Sequence, residues 1–290
     1  MRYKGDVICL LIFALLRTMI PEPQIIDLCI LIPCYNDFGG LIRSINSIVY
    51  NTEKYLILLV DDGSTECITI ERINQNIPEV VNFKIIRLEH NMGITNALNR
   101  GLEFIYANFS VQFIARLDCG DICSPDRFYT QISFLQSNPG IHLLGTWCYF
   151  KDYESGAAYK FMTPTQHKQI TRSMNFRNVF IHPTVMWRYS GVSKLKYPEQ
   201  YPYAEDYGLF YDMISKIKSA IISEFLITCQ INNEGISIGN RTIQLKSRLK
   251  VISYYSKNKF LFLLGAIKLK LLMIIPYHIV FILKKNLYRA

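Results

Sequence analysis

From residue 28 to about residue 117 the chain alternates two kinds of segment. Short apolar runs at 28–33 (LCILIP), 55–60 (YLILLV), 83–88 and 113–117 (FIARL) have the length and content of buried strands. Between them, 41–49, 68–76 and 94–108 carry apolar residues at helical spacing. Strands and helices in alternation predict βαβ units, and with them an α/β fold around a mostly parallel sheet.

The polar residues fall where such a sheet binds ligands. Pro33, Cys34, Tyr35 and Asn36 follow the first run, Asp61 and Asp62 the second, and Asp118 the fourth. Carboxyl ends of parallel strands share one edge, so three strands deliver polar groups to one crevice. Beyond residue 140 the pattern loosens. Strands near 141–150 precede a polar stretch at 151–178 and an apolar run at 179–188. A Tyr/Pro-rich loop at 197–203 (YPEQYPY) leads into a helix from Ala204. No internal repeat is visible.

Composition adds a surface to this picture. The 290 residues are 50% hydrophobic and 19% charged, with a formal net charge of +9. This balance suits an anionic partner. The basic residues concentrate in the last 50 or so positions among aliphatic residues, which fits lipid better than nucleic acid. The run 271–283 (LLMIIPYHIVFIL) is too short to span a bilayer comfortably, and Lys268, Lys270, Lys284, Lys285 and Arg289 flank it. It reads as an interfacial amphipathic helix on an anionic membrane surface. At the other end, 7–16 (VICLLIFALL) fits a weak anchor, a signal segment or an extension upstream of a start at Met19. The eight cysteines have no CxxC spacing, so zinc is not indicated and a reducing compartment is.

Asp61-Asp62-Gly63-Ser64 suits a nucleotide, since a carboxylate accepts from a base N–H and glycine lets the backbone turn closely. An Asp-Gly turn with a capping Ser fits equally well. Asp118-Cys119-Gly120-Asp121 suits a ribose and a hard divalent cation, Mg²⁺ or Mn²⁺; a solvated loop is the plain alternative. Glu205 and Asp206 offer a general base for a sugar hydroxyl, or simply favour a helix start. His182 sits in an apolar run, where a core role competes with a ligand-facing one, and Trp187 and Arg188 follow it.

Taken together, ILIPCYN (30–36), VDDGST (60–65), NMGITNALNRGL (91–102), ARLDCGDICSPDRF (115–128), IHPTVMWR (181–188) and YAEDYGLF (203–210) resemble family 2 glycosyltransferases of GT-A fold, in the branch that builds lipopolysaccharide O-antigen and capsule. The resemblance covers about residues 28–240. It implies that Pro33, Tyr35, Asn36, Asp61 and Asp62 surround a uridine and that Asp118 holds the ribose. Asp121 with Asp118 would hold a divalent cation, and Asp206, beside Glu205, would be the catalytic base. The donor would be a UDP-hexose. The acceptor would be a saccharide or an undecaprenyl-diphosphate-linked saccharide, at the cytoplasmic face of the membrane, with the protein bound peripherally. Two positions depart from the pattern. Gly120 stands where relatives carry a metal-binding acid, and CQIN (229–232) stands where relatives often carry Arg-x-His, so Asn232 brings no charge. The expected organisation is an extension at 1–27, a catalytic domain at 28–240 and a basic amphipathic helical region at 241–290. A sugar nucleotidyltransferase is disfavoured, because no basic residue follows the first strand until Arg43. A non-catalytic nucleotide-sugar binder would not need Glu205 and Asp206.

Overall fold

The computed structural model describes residues 24–50, 54–77, 82–152, 156–192, 194–231 and 239–276. The N-terminal readings at 7–16, Asn232, and the part of the C-terminal apolar run after residue 276 lie outside them. Nine strands form one sheet among the described residues, in the order β3-β2-β1-β4-β8-β6-β9-β5, with β7 paired to β6.

β1 (Gln24–Cys34) lies between β2 (Tyr55–Asp61) and β4 (Phe109–Arg116), parallel to both, and β3 (Phe83–Arg87) extends the parallel half beyond β2. The chain builds outward on one side of β1 and then crosses to the other, so the switch in strand order falls between β1 and β4. Apolar runs rather than alternation are what a sheet covered on both faces requires. Along β1, Leu31 packs in one core and Ile30 and Ile32 in the other. Helices α1 (Phe38–Asn46), α2 (Ile70–Asn74) and α4 (Arg127–Ser137) cover the second face. Helices α3 (Ile94–Asn108), α5 (His167–Ser173), α6 (Glu205–Lys216), α7 (Arg241–Tyr255) and α8 (Lys259–Ile274) cover the first. At Gly101 of α3 a Cβ would stand 2.5 Å from Leu31 Cδ1, so the missing side chain is what lets α3 lie close on the sheet.

Expected and observed elements agree closely in this half. Helix 94–108 has the expected bounds. β1 and β4 each begin four residues before the expected run, and they do so together, with Gln24 opposite Phe109. The second half is where they differ. β8 (Met186–Arg188) runs antiparallel to both β4 and β6 (Ile141–Lys151), while β9 (Lys218–Gln230) lies parallel to β6. β9, β7 (Ala158–Phe161) and β5 (Ile122–Cys123) were not anticipated. The apolar run 179–188 is mostly not strand, because Pro183 lies in a 3₁₀ turn, His182–Thr184, that leaves only three residues to pair.

The C-terminal helices complete the first face. Arg241 donates to the carbonyls of Leu272 and Ile275, tying α7 to α8 rather than reaching the crevice. Gly265 of α8 abuts the backbone carbonyl of Asn175, where a Cβ would overlap the oxygen. Gly265→Ala is therefore expected to push α8 off the 174–178 loop and destabilise the protein by about 1–3 kcal/mol, read as a lowered urea midpoint.

Candidate active site

The first wall of the crevice joins the ends of β1 and β2. Asn36 has φ +50, and it ties the two loops together. Its backbone N–H donates to Ser64 Oγ at 3.0 Å, and its side-chain oxygen accepts from the Thr65 N–H at 2.8 Å. Pro33 lies opposite Val60, one residue before the paired part of β1 ends at Cys34, and Tyr35 beyond it is 47% exposed. Asp61 is fully buried; it pairs with Arg87 from the end of β3 and accepts from the Ser64 N–H at 2.9 Å. Arg87 also donates to the Ser64 carbonyl at 2.7 Å. Asp62 accepts from the amides of Met92 and Gly93 at 2.8 and 3.0 Å. Burial pushes its carboxyl up, and those two donors oppose the shift. Both acids therefore shape this end of the crevice by holding its loops. Arg87 was missed from sequence; its one signal is its place at the end of β3, in register with Asp61.

The second wall is the end of β4. Arg116 is fully buried and donates to the carbonyls of Leu31 and Leu117 at 2.9 and 2.6 Å, while its other nitrogen pairs with Asp118. Asp118 keeps 32% of its side chain exposed. Asp121 turns inward, accepting from the Gln230 amide of β9 at 2.8 Å. Burial and then the charge of Asp118 push it up to about 8. The Ser44 hydroxyl of α1 donates to the Asp121 carbonyl at 2.8 Å and accepts from the Gly120 N–H at 2.9 Å, fixing the loop between them.

Glu205 and Asp206 open α6 on the far side. Asp206 Oδ2 accepts from Asn178 Nδ2 at 2.8 Å, and Oδ1 accepts from the Tyr207 N–H at 2.6 Å. Asn178 lay at the end of the polar stretch and gave no sequence signal. Glu205 is buried; burial and then the Asp206 charge raise it to about 7. His182 Nε2 lies 2.8 Å from the Tyr197 hydroxyl, with its ring edge-on to Tyr197 and Phe210. Burial, then the Arg116 charge, lower it to about 4, so the imidazole is neutral at physiological pH. The charges of Arg116, Asp118 and Asp206 act on His182 and on Tyr197 alike, so all three lie within electrostatic reach of both rings. Tyr197 is fixed in turn by Asn99, which exchanges two hydrogen bonds with its backbone at 2.7 and 3.0 Å. Trp187 and Arg188 stand apart: Trp187 is buried between β4 and β6, and Arg188 donates to the Leu135 carbonyl at the end of α4.

A divalent cation on Asp118 and Asp121 finds a thin set of donors. One carboxylate is paired with Arg116 and the other is buried against the β9 amide. Gly120 has φ +97, a conformation strained for any carboxylate-bearing residue, and a Cβ there would stand 2.9 Å from Gln230 Oε1. Among the described residues no three His, Cys, Asp or Glu side chains converge on a cation position. The protein side of a cation site is therefore reduced to the open edge of Asp118.

The acid pair has a signature in solution. The Glu205 carboxyl is raised from 4.5 to about 7, so the stability tied to its neutral form is present below pH 4.5 and lost as pH rises through about 7. Relative to wild type, Glu205→Gln is expected to gain stability at pH 8 over pH 5, on the order of 1–3 kcal/mol, read as the difference in thermal midpoint at the two pH values.

Comparison with known proteins fits this geometry. An uncharacterized glycosyltransferase of Haemophilus influenzae is 29% identical over 65% of this chain, which spans 60% of that protein's length. The amylovoran biosynthesis glycosyltransferase AmsE of Erwinia amylovora is 29% identical, over 64% of this chain and 69% of its own. The UDP-Gal:alpha-D-GlcNAc-diphosphoundecaprenol beta-1,3-galactosyltransferase of Escherichia coli is 26% identical, over 53% of this chain and 54% of its own. Solved structures with the same fold include S. aureus TarS 1-349 in complex with UDP-GlcNAc, at TM-score 0.60 and 14% identity over 81% of this chain and 69% of that one. Another is the mannosyltransferase PcManGT of Pyrobaculum calidifontis in complex with GDP-Man and Mn²⁺, at TM-score 0.58 and 13% identity over 91% and 76%. These likenesses establish the GT-A fold. The profile of glycosyl transferase family 2 matches residues 29–194, more than half of the chain, and this protein belongs to that family.

Proposed function

We propose that this glycosyltransferase moves a hexose from a UDP-sugar to a saccharide or undecaprenyl-diphosphate-linked saccharide in cell-surface polysaccharide synthesis, with inversion at the anomeric carbon. The reading rests above all on Asp206. It is a half-buried carboxylate at the first turn of α6, oriented by Asn178 and facing the pocket that also contains Asp118. Uridine is assigned to Pro33, Tyr35, Asn36 and the Asp61-Asp62 loop, with the exposed Tyr35 ring as a stacking face. Ribose is assigned to Asp118. Asp206 then takes the proton of an acceptor hydroxyl as its oxygen attacks the anomeric carbon. The bond to the diphosphate breaks through an oxocarbenium-like state, and the configuration inverts. Glu205, its carboxyl raised to about 7, carries only part of a second charge beside the base near neutral pH. His182, neutral and held by the buried Tyr197 hydroxyl, offers a hydrogen bond to the sugar. The polysaccharide role and the lipid-linked acceptor draw on the named Erwinia and Escherichia relatives, and the UDP-sugar on the Escherichia enzyme and the TarS complex.

The membrane part of the proposal rests on α8. Phe260, Leu263, Leu264, Ile267, Leu271 and Ile274 are all exposed, and their spacing makes one continuous helical stripe. Lys259, Lys268 and Lys270 lie on the same helix. Among the described residues no helix is long and apolar enough to cross a membrane. A stripe of this kind with lysines suits peripheral binding to an anionic surface, at the cytoplasmic face.

Two experiments test these readings. Asp206→Asn is expected to lower transfer by roughly 10²–10⁴-fold while UDP affinity stays near wild type. The assay is a UDP-sugar panel against diphosphate-lipid-linked saccharides, read by mass spectrometry, and wild-type turnover by the variant would reject the base assignment. The protein is expected to sediment with vesicles containing anionic phospholipid but not with purely zwitterionic ones. Leu263→Ser combined with Ile267→Ser should abolish that sedimentation with little change in thermal midpoint.

A further inference from the structure

The loop 118–121 is short of a charge that a diphosphate-binding site needs. Where an acid side chain at residue 120 would project, the structure has two neighbours: Gln230 Oε1 at 2.9 Å and Asp37 Oδ2 at 3.6 Å. Asp37 is committed elsewhere, since its other oxygen caps α1 by accepting from the Gly40 N–H at 2.8 Å. Gln230 is neutral, but its Oε1 accepts from Arg43 Nη2 at 3.3 Å. Arg43 therefore stands next to the position that the loop leaves vacant of charge.

Three features make Arg43 more than a surface cation. It lies on α1, the helix that begins directly after β1 at the switch in strand order. Its guanidinium folds back along the first turn, with Nη1 3.6 Å from where a Cβ on Gly39 would be, so it lies beside the start of α1 and, through Gln230, next to the 118–121 loop. It is exposed, and among the described residues it has no carboxylate partner, unlike Arg72, Arg87, Arg100 and Arg116. Its one recorded side-chain partner, an amide oxygen, is easily exchanged for a phosphate oxygen, which binds a guanidinium more strongly.

We propose that Arg43 binds the donor's diphosphate, in the charge-neutralising role for which the 118–121 loop offers a metal ion only one open carboxylate. Gln230 positions Arg43 by accepting from it, and Gly120 leaves room for that amide. The inference rests on the reading of the donor as a nucleoside diphosphate sugar.

The test compares UDP with uridine, by calorimetry and by NMR titration, in EDTA and in Mn²⁺. Wild type is expected to bind UDP in EDTA. Arg43→Ala should weaken UDP by about tenfold or more and leave uridine within about threefold, with Arg43→Lys recovering part of the loss. Unchanged UDP affinity in Arg43→Ala overturns the proposal. Equal losses for UDP and uridine also overturn it, because they mark a merely structural role. UDP binding that vanishes in EDTA and returns with Mn²⁺ overturns it as well. If GDP binds in place of UDP, the uridine reading falls while the same comparison of GDP with guanosine still decides Arg43. If no nucleoside diphosphate binds, both fall.

Discussion

A buried guanidinium organises this protein. Arg116 ends β4 with no exposed surface, and a buried charge needs partners: its two terminal nitrogens have them, while Nε has none among the described residues. Those partners are the Leu31 carbonyl of β1, the Leu117 carbonyl and the Asp118 carboxylate. The same residue's carbonyl accepts from Arg127, a second fully buried arginine, which also reaches the Pro183 carbonyl at 2.7 Å. The two arginines thus connect β1, β4, α4 and the His182 turn around the point where the strand order switches. That cation holds Asp118 in place, and it adds to the burial that lowers the His182 imidazole.

The pocket separates titrating groups that resemble one another in sequence. Glu205 and Asp206 are neighbours, yet Glu205 is the more buried and its carboxyl is raised to about 7. Asp118 and Asp121 are three residues apart, yet one faces the crevice and the other is drawn into the β9 ladder. Environments that push like groups apart are how one pocket comes to hold charged and neutral acids side by side. The 174–178 loop links this pocket to the surface. Asn178 holds Asp206, while Asn175 is packed against Gly265 of α8, the helix that carries the exposed apolar stripe.

The first half of the fold was legible because local and global preferences agree there. Apolar runs at 28–33 and 55–60 have no helical periodicity, helix 94–108 has a clear one, and acids directly after strands can only land on the crevice edge of a parallel sheet. The second half was much less so. β9 alternates imperfectly and breaks register with β6 near Trp147, and β5 has two residues, so neither leaves a period to read. Arg87, Asn99, Asn178 and Gln230 were invisible for a related reason. Each acts on a group between 26 and 110 residues away, through contacts that exist only once the sheet has formed.

The sequence by itself determined the α/β architecture and the sheet edge on which its polar residues gather, because the succession of strand and helix segments and their side-chain periods are local properties of the chain. What each acid does there was decided by the tertiary structure. Burial and partners, not residue type, make Asp61 a loop anchor, Asp121 an inward-facing acceptor, Glu205 a carboxyl raised to about 7 and Asp206 the carboxylate oriented by Asn178. The cost of desolvating a charge depends on what surrounds it, and those surroundings come from distant parts of the chain.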